Sequence, residues 1–216
     1  MAVEPTVYIV DDDPLTVALL VHWLERAGLR AERYDSAEAF LAEYKGGPGC
    51  LVLDVQMPGM SGLELQRQLN ERGAELPVII LTGTADVPTA VAAMKGGAVD
   101  LIEKPVTAEV LEARVRHALS RDATRRDRRA QRDSIEARAG QLSAREREVM
   151  DLVVAGLANK QIAVRLRLSE KTVEAHRSRV MRKMQADSVA ELVRMAVMLD
   201  PPPHAPVTLP PPALAG

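Results

Sequence analysis

The chain is poor in several residue types, and each shortage excludes something. Cys50 is the single cysteine in 216 residues, which rules out a disulfide framework and any multi-cysteine zinc site. The histidines, His22, His117, His176 and His204, are too dispersed for a metal cluster. No apolar run approaches the roughly 18 residues of a membrane helix, and MAVEPTVYIV lacks the basic start and long apolar stretch of a signal peptide. The expected address is cytoplasmic, with no membrane partner. Aromatics are scarce too: Tyr8, Trp23, Tyr34, Phe40 and Tyr44 are the whole set. Everything after residue 44 lacks rings on which to stack unpaired bases, which argues against single-strand or RNA-recognition platforms there.

What is present is ordinary in bulk and uneven in distribution. Hydrophobic residues make up 47% and charged residues 27%, a globular composition with room for two domains. The net charge of −2 hides an asymmetry. Residues 1–120 hold 18 acids and 10 bases, net −8, whereas residues 121–216 hold 12 acids and 18 bases, net +6. An acidic part joined to a basic part predicts domains with different partners, the basic one meeting nucleic acid.

Over residues 1–120, TVYIV (6–10), LVLD (51–54) and PVIILT (77–82) read as strands buried on both faces, because polar and apolar residues do not alternate. AERY (31–34) and AVDLIEK (98–104) are weaker strand candidates. Helical patterns near 15–27, 36–44, 62–72, 87–95 and 107–119 separate them. Ser61 and Glu64 form a capping box, and Gly96–Gly97 suits a helix C-terminus. Five βα units predict an α/β fold with a five-stranded, doubly wound parallel sheet and its chemistry at the carboxyl ends of the strands.

Residues 121–140 are rich in arginine, with Asp122/Arg126, Arg129/Asp133 and Arg132/Glu136 at i,i+4, which predicts a solvated, charged helical linker. Residues 141–200 carry four helical patterns, near 143–155, 159–166, 170–184 and 188–199. Ser143/Glu146 and Ser188/Glu191 are capping boxes and Ser169 is a good N-cap, so an all-α domain is expected. Residues 201–216 hold seven of the 14 prolines and no Lys, Arg, Asp or Glu, the composition of a loose tail.

Three carboxylates fall at predicted strand ends: Asp11 and Asp12 after TVYIV, and Asp54 after LVL. Parallel strands bring those ends together, and the crowded charge calls for a cation; an all-oxygen site with few ligands suits Mg²⁺. Thr82 ends a third strand. Lys104 ends a fourth and precedes Pro105, where a cis bond can aim the lysine inward. Acids, a hydroxyl and an ammonium form a site for an anion on a carboxylate, with Asp54 as nucleophile and the lysine and metal neutralising charge in phosphoryl transfer. Taken one at a time, Asp11–Asp13 could merely cap a helix; the joint pattern is what carries the reading.

IVDDDP, LVLDVQMPGMSGLEL, VIILTGTAD and GAVDLIEKP, in that order and spacing, resemble the receiver domain of bacterial two-component response regulators. The resemblance implies Asp54 as phosphoacceptor, Asp11 and Asp12 as Mg²⁺ ligands, and the Gln56 carbonyl as another. Thr82 and Lys104 then contact the aspartyl phosphate. The donor is a sensor histidine kinase, and self-phosphorylation and hydrolysis at Asp54 are the only catalysis. One position departs from the family: Leu101 stands where receivers usually carry a switch Phe or Tyr. Gln56 and Thr84 at the mouth are not carboxylates, so neither activates water strongly and the acyl phosphate is expected to outlast seconds. A phosphatase of the haloacid type would need a second acid two residues after the nucleophile, where Gln56 sits.

From 141 on, NKQIAVRL supplies one helix with Ile162, Ala163 and Leu166 inward, and a turn passes through Arg167 and Leu168. Ser169 then caps a second helix with Val173, Val180 and Met184 inward and a basic outer face, the pattern of a helix-turn-helix whose second helix fits the major groove. LSAREREVMDLVVAGLANKQIAVRLRLSEKTVEAHRSRVMRKM resembles the LuxR-type helix-turn-helix. Together the two parts resemble FixJ-type transcription activators. That implies promoter DNA binding as a dimer on phosphorylation, with RNA polymerase downstream. The resemblance places base contacts on Glu174, Ala175 and Ser178; Lys171, Thr172, Arg177, Arg179, Arg182 and Lys183 suit phosphates. Helix 188–199, with Leu192, Val193, Met195 and Ala196, serves either a second dimer surface or the core. Activation proceeds by dimerisation or by release of an inhibitory contact, and the basic part could instead be a docking bundle of a phosphotransfer relay.

Overall fold

The computed structural model describes residues 4–83 and 86–200. Thr84, His204 and the proline-rich segment fall outside the described residues. The chain divides into two units between Asp127 and Arg128.

In the first unit the β-branched runs become β1 (Thr6–Val10), β2 (Arg30–Tyr34), β3 (Gly49–Asp54), β4 (Val78–Thr82) and β5 (Asp100–Glu103). All pair in parallel, in the order β2-β1-β3-β4-β5. Helices α1 (Pro14–Arg26), α2 (Ala37–Glu43), α3 (Gly62–Glu71) and α4 (Val87–Lys95) connect them, and α5 (Ala108–Ala139) follows β5. The expected doubly wound sheet is therefore present, and the pleat sorts its side chains. Val7, Ile9, Val52, Ile79 and Leu81 meet Leu20 and Leu24 of α1 and Leu111 and Val115 of α5. Tyr8, Val10, Leu51, Leu53 and Ile80 meet Phe40 of α2, Leu65 and Leu69 of α3 and Ala93 of α4. Alternate residues serve opposite faces, and since both are covered, the central strands β1, β3 and β4 are polar only at their ends, whereas the edge strands β2 and β5 carry Arg30, Glu32, Arg33, Asp100 and Glu103.

The aromatics gather as well. Phe40 lies 5.7 Å from Tyr8, 5.2 Å from Tyr34 and 5.0 Å from Tyr44, centroid to centroid. Four of the five rings thus pack one face of the sheet beside β1 and β2, while Trp23 packs against the core on the other face.

Two sequence expectations change here. Ser61 caps α3 through the Glu64 amide, but Glu64 turns its carboxylate to Arg67 and leaves the box half made. The stretch 121–140 is not simply solvated. Asp122, 1% exposed, accepts from the Gly49 amide (2.9 Å), Arg125 (2.6 Å) and Arg126 (2.7 Å), and Arg126 also reaches the Gly47 carbonyl. Further on, Ile135 and Ala139 enter the core of the second unit. The high charge of the segment masks these few buried residues. Asp122→Ala is expected to cost the first unit about 2 kcal/mol, because the Gly49 amide loses its acceptor while the arginines can turn to solvent. Hydrogen exchange would rise at Gly49 and residues 121–127; unchanged protection there would refute the clamp.

The second unit contains α6 (Ala144–Val154), α7 (Asn159–Leu166), α8 (Glu170–Met184) and α9 (Val189–Leu199). Ser143 and Glu146 make the reciprocal box at α6. Ser188 caps α9 through the Glu191 amide, while the Glu191 carboxylate takes the Asp187 amide. Arg167 closes α7 in the left-handed region at φ 55°. Ile162, Ala163, Val173, Val180 and Met184 are buried in one core with Val149, Val153, Leu192 and Met195. Leu192 and Met195 thus pack the core, whereas Val189 and Val197 stay exposed.

Candidate functional site

The local chain sorts the three consecutive aspartates. Asp13 is spent on capping α1, accepting from the amides of Leu15 and Thr16 ahead of Pro14. Asp11, at the end of β1, is buried; Asp12 is exposed beside it. Asp54 ends β3 and is 4% exposed, Thr82 ends β4 and is buried, and Lys104 follows β5. The Lys104–Pro105 peptide is cis.

Lys104 Nζ lies 2.5 Å from Asp54 Oδ1 and 2.8 Å from Asp11 Oδ2. The Asp13 amide holds the other oxygen of Asp11 at 2.9 Å, and the Gln56 amide holds Asp54 Oδ2 at 2.7 Å. Gly62 permits this packing: a Cβ there would stand 2.0 Å from the Asp54 carbonyl oxygen.

Burial pushes the Asp54 carboxyl above its ordinary range, against the opposing pull of Lys104, and the Asp11 charge adds to the rise. Burial disfavours the Lys104 charge, yet the bonds to Asp11 and Asp54 hold its pKa above the usual value. Two buried carboxylates share one ammonium, so the cluster keeps a surplus negative charge. Among the described residues no three acidic, imidazole or thiol groups already stand as a metal cluster. The donors fit a hard divalent cation all the same: Asp11, Asp54, adjacent Asp12 and the Gln56 carbonyl are all oxygen ligands.

Leu101 is half-buried, pairs with Ile80 across β4–β5, and packs on the core beneath α2, α3 and α4. The Gln56 side chain is exposed at the mouth. Cys50 lies elsewhere, fully buried, its thiol pushed up to about 12 by burial, so it belongs to the core.

In the second unit, Lys171, Glu174, Ala175, Ser178, Arg179 and Arg182 are exposed on α8. Three residues assigned to DNA phosphates from the sequence have other partners. Thr172 Oγ1 is 2.8 Å from Ser169 Oγ in the cap. Arg177 donates to Asn159 Oδ1 at 2.5 Å, bracing the start of α7 against α8. Lys183 donates to Glu146 Oε2 at 2.6 Å and to the Gln141 carbonyl at 3.1 Å. Charge periodicity along α8 cannot show this, because the partners lie on other elements. Other arginines serve helix ends: Arg138 meets the Met184 carbonyl and Arg145 the Leu166 carbonyl, where the dipole favours a cation. Both bonds cross between helices, Arg138 from the last turn of α5 and Arg145 from the first turn of α6, so no local pattern in the sequence signals them.

Two family descriptions match the chain: "Response regulator receiver domain" over residues 7–116, and "Bacterial regulatory proteins, luxR family" over residues 140–196. The chain is 47% identical over 193 residues to the transcriptional regulatory protein FixJ of Azorhizobium caulinodans, covering 89% of this chain and 92% of that protein. It is 41% identical over 194 residues to the response regulator protein TodT of Pseudomonas putida, covering 89% and 86%. Among solved structures it is similar to the response regulator StyR, with TM-score 0.82, 39% identity and coverage of 90% and 98%. Full-length FixJ from B. japonicum gives TM-score 0.56 at 40% identity, covering 92% and 98%.

Proposed function

Because this chain belongs to the two-component response regulators with a LuxR-family DNA-binding domain, transcription regulators and not conventional enzymes, we propose that phosphorylation of Asp54 by a partner sensor histidine kinase drives it to bind promoter DNA as a dimer and activate transcription. The observation that carries this reading is Lys104 spanning Asp11 and Asp54 at the ends of neighbouring parallel strands.

An Asp54 carboxylate oxygen attacks the phosphorus of a phosphohistidine. The P–N bond breaks, its electrons return to the imidazole, and an acyl phosphate remains; water later releases phosphate and restores the carboxylate. Lys104 moves from pairing Asp54 to pairing the phosphoryl oxygens, with the Thr82 hydroxyl as a further donor. Asp11, Asp12, Asp54 and the Gln56 carbonyl would hold Mg²⁺, which supplies charge neutralisation for the transferring group.

The unit ending at Asp127 is the switch and the unit from Arg128 the reader. Leu101 and α4, whose Val91 and Met94 are exposed, form the face offered to a second copy, and the paired readers meet a two-fold DNA site. RNA polymerase is the partner downstream. Sizing and promoter-duplex binding with and without beryllofluoride test the proposal: both should rise, and no change in either would overturn it.

On α8, Lys171, Arg179 and Arg182 serve phosphates, and Glu174, Ala175 and Ser178 face base edges. Arg179→Ala is expected to weaken all duplexes alike, by about tenfold, and to reduce the salt slope by about 1. Glu174→Ala should relax preference at one base pair. Titrations at several salt concentrations decide; altered preference with an intact salt slope in Arg179→Ala would reverse the assignment.

A further inference from the structure

Helix α4 is nine residues long, and Ala93 is its only buried residue. Val87 is 75% exposed, Val91 44% and Met94 53%. So short a helix is marginal without tertiary support. At its beginning, Asp86 caps the Thr89 amide, a local bond between exposed groups. The support concentrates at the other end. Gln66 of α3, 2% exposed, donates its amide to the Ala93 carbonyl at 3.1 Å. One turn along α3, Asn70 donates to the Gly96 carbonyl at 2.7 Å. The Ala98 amide also binds the Ala93 carbonyl, at 3.0 Å, leading the chain into β5.

Gly96 makes room for this tie. A Cβ there would stand 2.7 Å from Gln66 Oε1 and 2.9 Å from its Cδ. Gly97, at φ +87°, turns the chain. The paired glycines therefore divide the work: one admits a side chain from α3 and the other reverses the backbone.

We infer that Gln66 and Asn70 are positioning residues that fix the C-terminal end of α4 as a pivot, so that the helix responds to the site by moving its opposite end. The inference rests on the reading of α4 as the face a second copy meets. A buried amide without its acceptor is costly, so Gln66 stays on Ala93 while the exposed face of α4 reorients. The tie sets which part of that face can change.

The test uses the full chain carrying Gln66→Met, which keeps size and removes the donor, and separately Gly96→Ala, which displaces Gln66. Hydrogen exchange of α4 and sedimentation with and without beryllofluoride are the readouts. Both variants should exchange amides 91–98 roughly tenfold faster. The dimerisation gained with beryllofluoride should fall about fivefold in affinity, while acetyl phosphate still labels Asp54 as in the parent chain. Unchanged α4 exchange, or faster exchange spread evenly over α3 and β4, overturns the pivot. If the parent chain does not dimerise with beryllofluoride, the signalling reading fails, and the exchange data still decide whether the pivot exists.

Discussion

Lys104→Met is expected to destabilise the first unit by roughly 3–5 kcal/mol, whereas Asp54→Asn leaves it equally stable or more so, although both abolish phosphorylation. The opposite signs follow from the charge count. Asp11 and Asp54 are both buried and both lie against Lys104. Removing the ammonium leaves two buried carboxylates facing one another, Asp11 on the Asp13 amide and Asp54 on the Gln56 amide, with no cation between them among the described residues. Removing the Asp54 charge leaves a matched pair, Lys104 with Asp11 at 2.8 Å. Asp54, the proposed nucleophile, is thus a place where the fold gives up stability, which burial registers by raising its pKa. Denaturation of both variants without divalent cations, alongside labelling with acetyl phosphate, checks this. Equal losses in the two variants would show that Lys104 contributes packing and not charge compensation.

The second large effect is in the other unit. Lys183→Met should lower its melting temperature by several degrees and leave the salt slope of DNA binding unchanged, the reverse of Arg179→Ala. Glu146 is buried, and the Lys183 ammonium, helped by the Ser143 amide, holds its carboxyl down to about 2. A carboxyl with a depressed pKa adds stability that is complete above its ordinary value of 4.5 and is lost as pH falls towards 2. The parent chain should therefore lose protection in residues 141–199 across that window, and Glu146→Gln should flatten the profile. No aromatic residue lies in this unit, so fluorescence is silent, and hydrogen exchange of its peptides on the full chain is the measurement. A Lys183→Met protein with normal stability and a reduced salt slope would return Lys183 to the DNA face.

Lys183 also shows where the sequence stops being legible. Its position on α8 follows from helical periodicity, as does the burial of Val173, Val180 and Met184. Its partner is 37 residues away, on a helix whose approach no local pattern encodes. Arg177 with Asn159 repeats the case at 18 residues, and Asp122 with Gly49 at 73. By contrast, Asp11, Asp54, Thr82 and Lys104 were visible because each stands at the end of a short apolar run. A parallel sheet carries such ends to one edge whatever the intervening helices do.

The scarcity of aromatics ends with the same division. By itself the sequence determined that the basic part has no stacking platform and, through its resemblance to receivers, that a leucine stands at 101 where they usually carry a ring. Period and composition also determined the five strands, the four later helices and the placing of acids, a hydroxyl and an ammonium at the strand ends. Only the tertiary structure decided that four of the rings would meet beside β1 and β2. It alone decided which arginines and lysines face outward and which close helix ends or hold buried acids. The physical reason is that periodicity is a property of neighbours in the chain, whereas the partner of a buried charge is chosen by whichever element arrives beside it.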